Sequence, residues 1–219
     1  MSGNYSSLRP IRLMLVDNHS ILRGGLASML DGHDGIDVVG SFGSVGEALA
    51  TKDPDPDVIV QDITMPGIGG LEAVGMYKER FPKVRILMLS MHPAPTFGLR
   101  AIRAGALGYM NKTAAPDELI AAVLRVAKGQ RVIPPDLAEA LLDQNMSPSE
   151  RPPHEELSDR EYIVFRRLCA GARVVEIAEE LSLSAKTVST YRRRILDKMG
   201  MQSTTELVRY AVEHDLLGG

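Results

Sequence analysis

The stretch Ile11–Leu30, IRLMLVDNHSILRGGLASML, decides the fold. Ile11–Val16 is a strand-like apolar run, and the polar pair Asp17-Asn18 breaks it. Ser20–Leu30 then places Ile21, Leu22, Leu26, Met29 and Leu30 at helical spacing. The same alternation recurs downstream. Asp37–Gly40, Val58–Val60, Ile86–Leu89 and Leu107–Met110 are further short apolar runs. Helical patterns lie between them, including Leu71–Arg80, and Pro116–Ala127 follows the last. Such alternation predicts an α/β doubly wound, five-stranded parallel sheet with helices on both faces.

A chain of 219 residues allows one or two domains. With 44% apolar and 24% charged residues the composition is that of a globular protein, which excludes disordered and collagen-like classes. No apolar run approaches the roughly 18 residues of a membrane helix. Met1–Pro10 is short and polar, without the apolar core of a signal peptide. A single cysteine, Cys169, can form neither an intrachain disulfide nor a Cys-based zinc site. The expected location is the cytoplasm, with no membrane partner.

Charge is unevenly placed. Residues 1–156 hold 15 Lys+Arg against 19 Asp+Glu, a net −4, and residues 157–219 hold 10 against 9, a net +1. Bulk charge alone therefore does not argue for nucleic-acid binding. Gly129–Glu156, with five prolines, reads as a connector. Within it Pro135–Gln144 is expected to form a short helix with Leu137, Leu141 and Leu142 on one side, and Asn145–Glu156 to be flexible. The expected domains are residues 9–128 and 157–219, with residues 129–156 as linker.

In doubly wound sheets ligands bind at the carboxyl ends of the strands. After the first run come Asp17 and Asn18. After the third, with Gln61 intervening, comes Asp62. Ser90 follows the fourth and, with Asn111 intervening, Lys112 follows the fifth. Any one of these could merely cap a loop, but all of them at successive strand ends make a site. A carboxylate can attack a phosphoryl group and form an aspartyl-phosphate. A cation on the carboxylates, a lysine and a hydroxyl would neutralise the transferred oxygens. Mg²⁺ suits such a site, since it takes one or two carboxylates and fills the rest with water and phosphate oxygens.

Four pieces carry a resemblance: VDNH at Val16–His19, QDITMPGIGG at Gln61–Gly70, LSMH at Leu89–His92 and GYMNK at Gly108–Lys112. With them Ile11 to about Ala127 resembles the flavodoxin-like receiver domain of two-component response regulators. The resemblance implies Asp62 as phosphoryl acceptor, Ser90 as the hydroxyl that turns toward the phosphate, and Lys112 as the lysine that bridges to it. It implies Tyr109 as the aromatic switch, and Asp17, Asn18, Asp62 and the carbonyl of Thr64 as metal ligands. Receivers usually carry two adjacent acids after the first strand, so Asn18 is a departure that should weaken metal binding. His19, common at its position in the resembled group, is not counted as a ligand.

Residues 157–219 read as four helices. Asp159–Ala170 places Val164, Phe165, Leu168 and Cys169 on one stripe and ends at Gly171. Val174–Leu181 is short, with Ile177, Ala178 and Leu181 inward. Ser182-Leu183-Ser184 makes a turn, with Ser184 as N-cap of Ala185–Met199. The last helix is Ser203–His214, with Leu207, Val208 and Ala211 at core spacing. On Ala185–Met199, Val188, Ile195 and Met199 share one face, while Lys186, Ser189, Thr190 and Arg193 share the opposite one. Arg192 and Arg194 lie toward the flanks. A solvated face would look similar, but a short helix, a three-residue turn and this face together suit the DNA major groove.

LSDREYIVFRRLCAGARVVEIAEELSLSAKTVSTYRRRILDKMGM, Leu157–Met201, resembles the LuxR-type helix-turn-helix of the NarL/FixJ group of regulators. The DRE start, the EIAEELSLS scaffold and KTVSTY carry the match. The resemblance implies base-facing positions at Ser189, Thr190 and Arg193, and phosphate contacts at Lys186, Thr187, Arg192 and Arg194. It also implies a homodimer through the last helix. The expected function is that of a DNA-binding transcription regulator, switched when a sensor histidine kinase phosphorylates Asp62. The alternative is an atypical receiver governed by a partner protein or ligand, which Asn18 favours. An enzyme hydrolysing phosphoesters is not expected, because no general acid flanks Asp62 and the second position after it is Thr64.

Overall fold

Five parallel strands pair in the order β2-β1-β3-β4-β5, where β1 is Ile11–Val16, β2 Ile36–Phe42, β3 Val58–Asp62, β4 Arg85–Ser90 and β5 Gly108–Asn111. The computed structural model describes residues 9–52, 54–91, 94–142, 152–181, 183–214 and 216–217. The helices between and after the strands are α1 (Ser20–Asp31), α2 (Val45–Ala50), α3 (Gly70–Arg80), α4 (Leu99–Ala104) and α5 (Pro116–Ala127). A π-helical turn, Ala94–Gly98, precedes α4. Every residue of β3 is buried. Helices cover both faces of a parallel sheet, so its central strands read as unbroken apolar runs rather than alternating ones.

On one face Leu13, Leu15, Val58, Val60, Leu87 and Leu89 pack against Leu30 of α1 and Leu119, Val123 and Val126 of α5. Each such side chain, fully buried, stabilises the fold by about 1.5–3 kcal/mol. Pro116 opens α5, with Asp117 and Glu118 in its first turn, a proline and two acids where a helix N-terminus favours them. The expected run Asp37–Gly40 extends at both ends. It lies at the sheet edge, where exposed Asp37 and Ser41 are tolerated while the backbone pairs with β1 from Ile36 to Phe42.

Beyond α5 the chain returns to the sheet. Val132 bridges to Gly108 in parallel, and its carbonyl accepts from the Tyr109 amide at 3.0 Å. A further helix, α6 (Pro135–Leu142), follows, and Val132 and Leu137 are buried. The first compact unit runs to Glu139 and the second starts at Ala140. The leading part of the Pro-rich segment thus packs as sheet edge and helix. Residues 143–151, which include the end of the expected helix and most of Asn145–Glu156, lie outside the described residues. Pro153–Glu156 form a short 3-10 turn.

The second unit holds α7 (Asp159–Cys169), α8 (Val174–Glu180), α9 (Ala185–Met199) and α10 (Thr204–Glu213). Ser158 and Glu161 form a capping box that starts α7. Ser184 caps α9 by accepting from the Thr187 amide at 3.0 Å. Ser182, in the expected turn, lies outside the described residues. Gly171 and Gly200 end α7 and α9 with φ of 85° and 65°, a left-handed backbone that suits glycine. The expected core positions are buried, except that Val208 is half-buried and Tyr210 is buried in its stead. Burial pushes the Cys169 thiol up to about 12, which keeps it protonated at neutral pH.

Candidate phosphoryl-transfer pocket and DNA interface

The strand order reverses between β1 and β3, and the crevice at such a reversal is where open α/β sheets bind ligands. Asp17 follows β1 and Asp62 ends β3, both buried. The Lys112 ammonium, just beyond β5 and itself buried, bridges them. Its Nζ lies 2.7 Å from Asp17 Oδ2 and 2.8 Å from Asp62 Oδ2. The Lys112 amide donates to the Ser90 carbonyl at 2.8 Å, which ties the ends of β4 and β5 together. The Thr64 amide donates to Asp62 Oδ1 at 3.1 Å. Burial raises the Asp62 carboxyl above its ordinary value, with Lys112 opposing the rise and Asp17 adding to it.

Asn18 turns its amide nitrogen toward Asp62 Oδ2 at 3.2 Å and toward the Thr64 carbonyl at 3.0 Å. Asp17, Asn18, Asp62, Thr64 and Lys112 are therefore brought together. Ser90, fully buried, ends the neighbouring strand at the same edge of the sheet. Tyr109 is buried on β5, close to Gly98 and Leu137.

Sequence reasoning missed three supports of this pocket. Gln61, read only as an intervening residue, donates from Nε2 to the Asp62 carbonyl at 2.7 Å and accepts from the Tyr77 hydroxyl at 2.7 Å. Burial raises the Tyr77 hydroxyl above its ordinary value, so it stays a donor. Gly70 opens α3 against the backbone of the acceptor strand. A Cβ there would stand 2.0 Å from the Asp62 carbonyl oxygen and 2.8 Å from Ile63 Cα. His19 is the third. Its Nδ1 lies 3.1 Å from Asp17 Oδ1 and 3.7 Å from Asp62 Oδ2. A polar residue inside an otherwise apolar strand was the available signal for Gln61. Gly70 and His19 lay inside the quoted motifs, but neither was given a role there.

In the second unit Val188, Ile195 and Met199 are buried, and Lys186, Ser189, Thr190, Arg192, Arg193 and Arg194 are exposed. The Ser189 and Thr190 hydroxyls donate to the Ala185 and Lys186 carbonyls at 2.9 and 3.0 Å. Thr187, half-buried, is drawn into the cap, its hydroxyl 2.7 Å from Ser184 Oγ. Arg192 Nε donates to Thr204 Oγ1 at 2.9 Å, which ties α9 to α10. Arg193 Nε reaches Asp197 Oδ2 at 4.0 Å.

A doubly wound sheet with an acid–lysine cluster at its switch point, joined to a helix-turn-helix with one basic exposed face, defines a class: signalling switches coupled to DNA readers. Residues 13–124 match the response regulator receiver domain, and residues 155–211 match the bacterial regulatory proteins of the luxR family. The chain belongs to the response regulators, with a receiver domain followed by a LuxR-type DNA-binding domain. It is similar to response regulator GacA of Pseudomonas protegens, at 36% identity over 94% of this chain and 98% of that protein. It is similar also to response regulator UvrY of Escherichia coli, at 37% identity over 94% and 95%. Among solved structures, response regulator ChrA of a heme-sensing two-component system gives a TM-score of 0.52 at 31% identity, covering 95% of this chain and 100% of that one. A response regulator RcsB–DNA complex gives 0.56 at 26% identity, over 93% and 98%. Among the described residues no helix is long and apolar enough to cross a membrane.

Proposed function

We propose that this response regulator accepts a phosphoryl group on Asp62 from a sensor histidine kinase and, so modified, changes how its second domain binds promoter DNA. The observation that carries this reading is the Lys112 ammonium bridging Asp17 and Asp62 at 2.7 and 2.8 Å in the crevice of the sheet. In the transfer an Asp62 carboxylate oxygen attacks phosphorus, the P–N bond to the donor imidazole breaks, and Lys112 follows the charge onto the phosphoryl oxygens. Two buried carboxylates and the Thr64 carbonyl form a set of hard oxygen donors, which fits a divalent cation such as Mg²⁺. Asp17, Asp62 and Thr64 would hold it, with Asn18 beside them after its amide turns. When bound it supplies charge neutralisation at the phosphoryl oxygens.

Ser90 then turns toward the phosphoryl group and Tyr109 relays the change. Ser189, Thr190 and Arg193 read base edges, while Lys186, Thr187, Arg192 and Arg194 hold phosphates. A homodimer reads two half-sites about one helical turn apart. The chain acts as a stoichiometric switch, not an enzyme, in the cytoplasm where kinase and DNA meet. Residues 9–128 form the switch, 157–219 the reader and 129–156 the connection between them.

Exposure to acetyl phosphate with Mg²⁺, followed by intact-mass measurement, tests the reading. The parent gains one phosphate and Asp62→Asn gains none. Equal labelling of both removes Asp62 from the acceptor role. The Asn18 amide, donating into the Asp62 and Thr64 oxygens, favours a second reading in which a partner protein or ligand sets the state. On that reading the parent stays unlabelled and Asn18→Asp becomes labelled.

A further inference from the structure

We propose that the pocket takes a first-row transition dication in preference to Mg²⁺, with His19 as a nitrogen ligand beside Asp17 and Asp62. The inference rests on the reading of this pocket as a cation-assisted phosphoryl site. One ligand atom each from Asp17, His19 and Asp62 lies within 4.8 Å of the other two. His19 Nδ1 is 3.1 Å from Asp17 Oδ1 and 3.7 Å from Asp62 Oδ2. Ligands about 2.1 Å from one ion stand roughly 3.0 Å apart on adjacent octahedral corners and roughly 3.4 Å apart in a tetrahedron. The 3.1 Å separation falls within that span and the 3.7 Å separation exceeds it by about 0.3 Å, so a shift of a few tenths of an ångström in the His19 ring serves one ion. The ring can make that shift, because its side chain is 59% exposed.

The chain holds the histidine in place. The His19 amide donates to Asp17 Oδ1 at 2.8 Å, the oxygen its own ring approaches. That turn, at the start of α1, aims Nδ1 back over the strand ends. In the neutral tautomer with the proton on Nε2, Nδ1 offers a lone pair.

Asn18 supplies the reason for the preference. It adds no negative charge and faces the Asp62 and Thr64 oxygens with a donor. The charged ligands are then two carboxylates. Mg²⁺ is a hard ion that binds through oxygen and dehydrates reluctantly, so it gains little from an imidazole. Imidazole suits the later first-row dications. The same donor set therefore loses Mg²⁺ affinity through Asn18 and gains transition-metal affinity through His19.

Calorimetric titration of the full-length protein with Co²⁺ and, separately, with Mg²⁺ tests this. The parent, His19→Ala, His19→Gln and Asp62→Asn are compared, and melting temperatures check that each variant folds. Losing even an outer-sphere partner of a metal ligand costs about 10–100-fold in affinity, so losing the ligand itself should weaken Co²⁺ by at least about tenfold. Both His19 variants should show that loss while Mg²⁺ changes by less than about twofold, the size of experimental scatter beside a ligand effect. Asp62→Asn should weaken both ions. Oxygen-only sites also rank Co²⁺ above Mg²⁺, so the deciding readout is the change on removing His19. Unchanged Co²⁺ affinity in both His19 variants, or equal affinity of the parent for the two ions, overturns the His19 assignment and leaves the phosphoryl reading standing. No binding of either ion by the parent, together with no mass gain from acetyl phosphate, overturns both.

Discussion

Gly70→Ala is a change of one methyl group that should reach the phosphoryl acceptor directly. The added Cβ would stand 2.0 Å from the Asp62 carbonyl oxygen and 2.8 Å from Ile63 Cα. Both are backbone atoms of the acceptor strand and its turn, so no side chain can swing aside. Real Cβ contacts begin near 3.0 Å, so α3 and the end of β3 must separate by about 1 Å. Overpacking of this kind costs about 1–3 kcal/mol. The same helix holds its control. Gly75 is exposed in the middle of α3, with nothing within 4 Å of a Cβ. Gly75→Ala should therefore stabilise by up to about 1 kcal/mol through helix propensity. Hydrogen exchange of β3 and α3 peptides reads the two effects without interference from the second domain. The phosphorylation rate from acetyl phosphate is the second readout, because a misplacement of about 1 Å can cost about 10²-fold in rate. Opposite signs of stability, with slowed labelling in Gly70→Ala alone, are expected. If Gly70→Ala matches the parent in both, α3 does not press on Asp62 as closely as the 2.0 Å approach requires.

Arg193→Ala should lower the preference for a specific site over random DNA by about 1–3 kcal/mol. Arg194→Ala should weaken both about equally and lower the salt slope by about one unit. Affinities at several salt concentrations separate the two, and an unchanged specificity ratio in Arg193→Ala refutes the docking of α9 by this face. Leu137→Ala should cost the first unit about 2–5 kcal/mol, as a buried leucine does, whereas a solvated linker residue would change hydrogen exchange of β5 hardly at all. Burial alone would raise the Glu161 carboxyl, but the hydrogen bonds from Lys198 at 2.6 Å and from Ser158 hold it below its ordinary 4.5. A depressed folded value means that its stabilisation is complete above about pH 4.5 and is lost as the pH falls through the lower folded value. The melting temperature of the second domain should therefore fall more steeply on acidification in the parent than in Glu161→Gln; parallel slopes would contradict that role for the pair.

The sheet and its site were legible because a parallel strand announces itself twice, as a compact apolar run and as the polar residue that follows it. Asp17, Asp62, Ser90 and Lys112 were found by that rule alone. The rule reads along the chain and is blind across it. Gln61 meets Tyr77 sixteen residues later, and Gly70 is required by a carbonyl eight residues earlier. Gln61 stands out locally only as a polar residue in an apolar strand, and neither partner can be read from the residues beside it. Val132 and Leu137 were assigned to a connector because five prolines dominate the composition there; the short helix was expected, but not that one bridging residue and the first turn of that helix would bury both against the first unit. On α9 the angular spacing told which hydroxyls face outward. It could not tell that Ser189 and Thr190 donate to their own helix's carbonyls four residues back, a local competition that the backbone offers any helical serine or threonine. With their hydrogens so used, the two hydroxyls keep only acceptor lone pairs for an external partner.

A phosphoryl group on Asp62 can shift an equilibrium only if two arrangements of the receiver differ in how they meet it. On the proposed reading of Tyr109 as the switch, a second arrangement would differ around its ring. Its amide donates to the Val132 carbonyl at 3.0 Å, and a Cβ on Gly98 would meet both its Cγ at 3.2 Å and Leu137 Cδ2 at 2.6 Å. Three segments therefore converge at this point: the π-helical turn before α4, strand β5 and the start of α6. Lys112 lies three residues from Tyr109, just beyond the end of the same strand, and its amide is tied to the Ser90 carbonyl. A movement of Lys112 and Ser90 toward a phosphoryl group thus pulls on β5 itself. Interiors packed at crystal density do not absorb such a pull by compressing. If the Tyr109 ring moves, either the Ala94–Gly98 turn or Leu137 must move with it. The turn has an i→i+5 backbone, a rare geometry that is frequent at functional sites. Leu137 sits two residues before the end of the first unit, so on the proposed reading a displacement there would reach the end of the receiver.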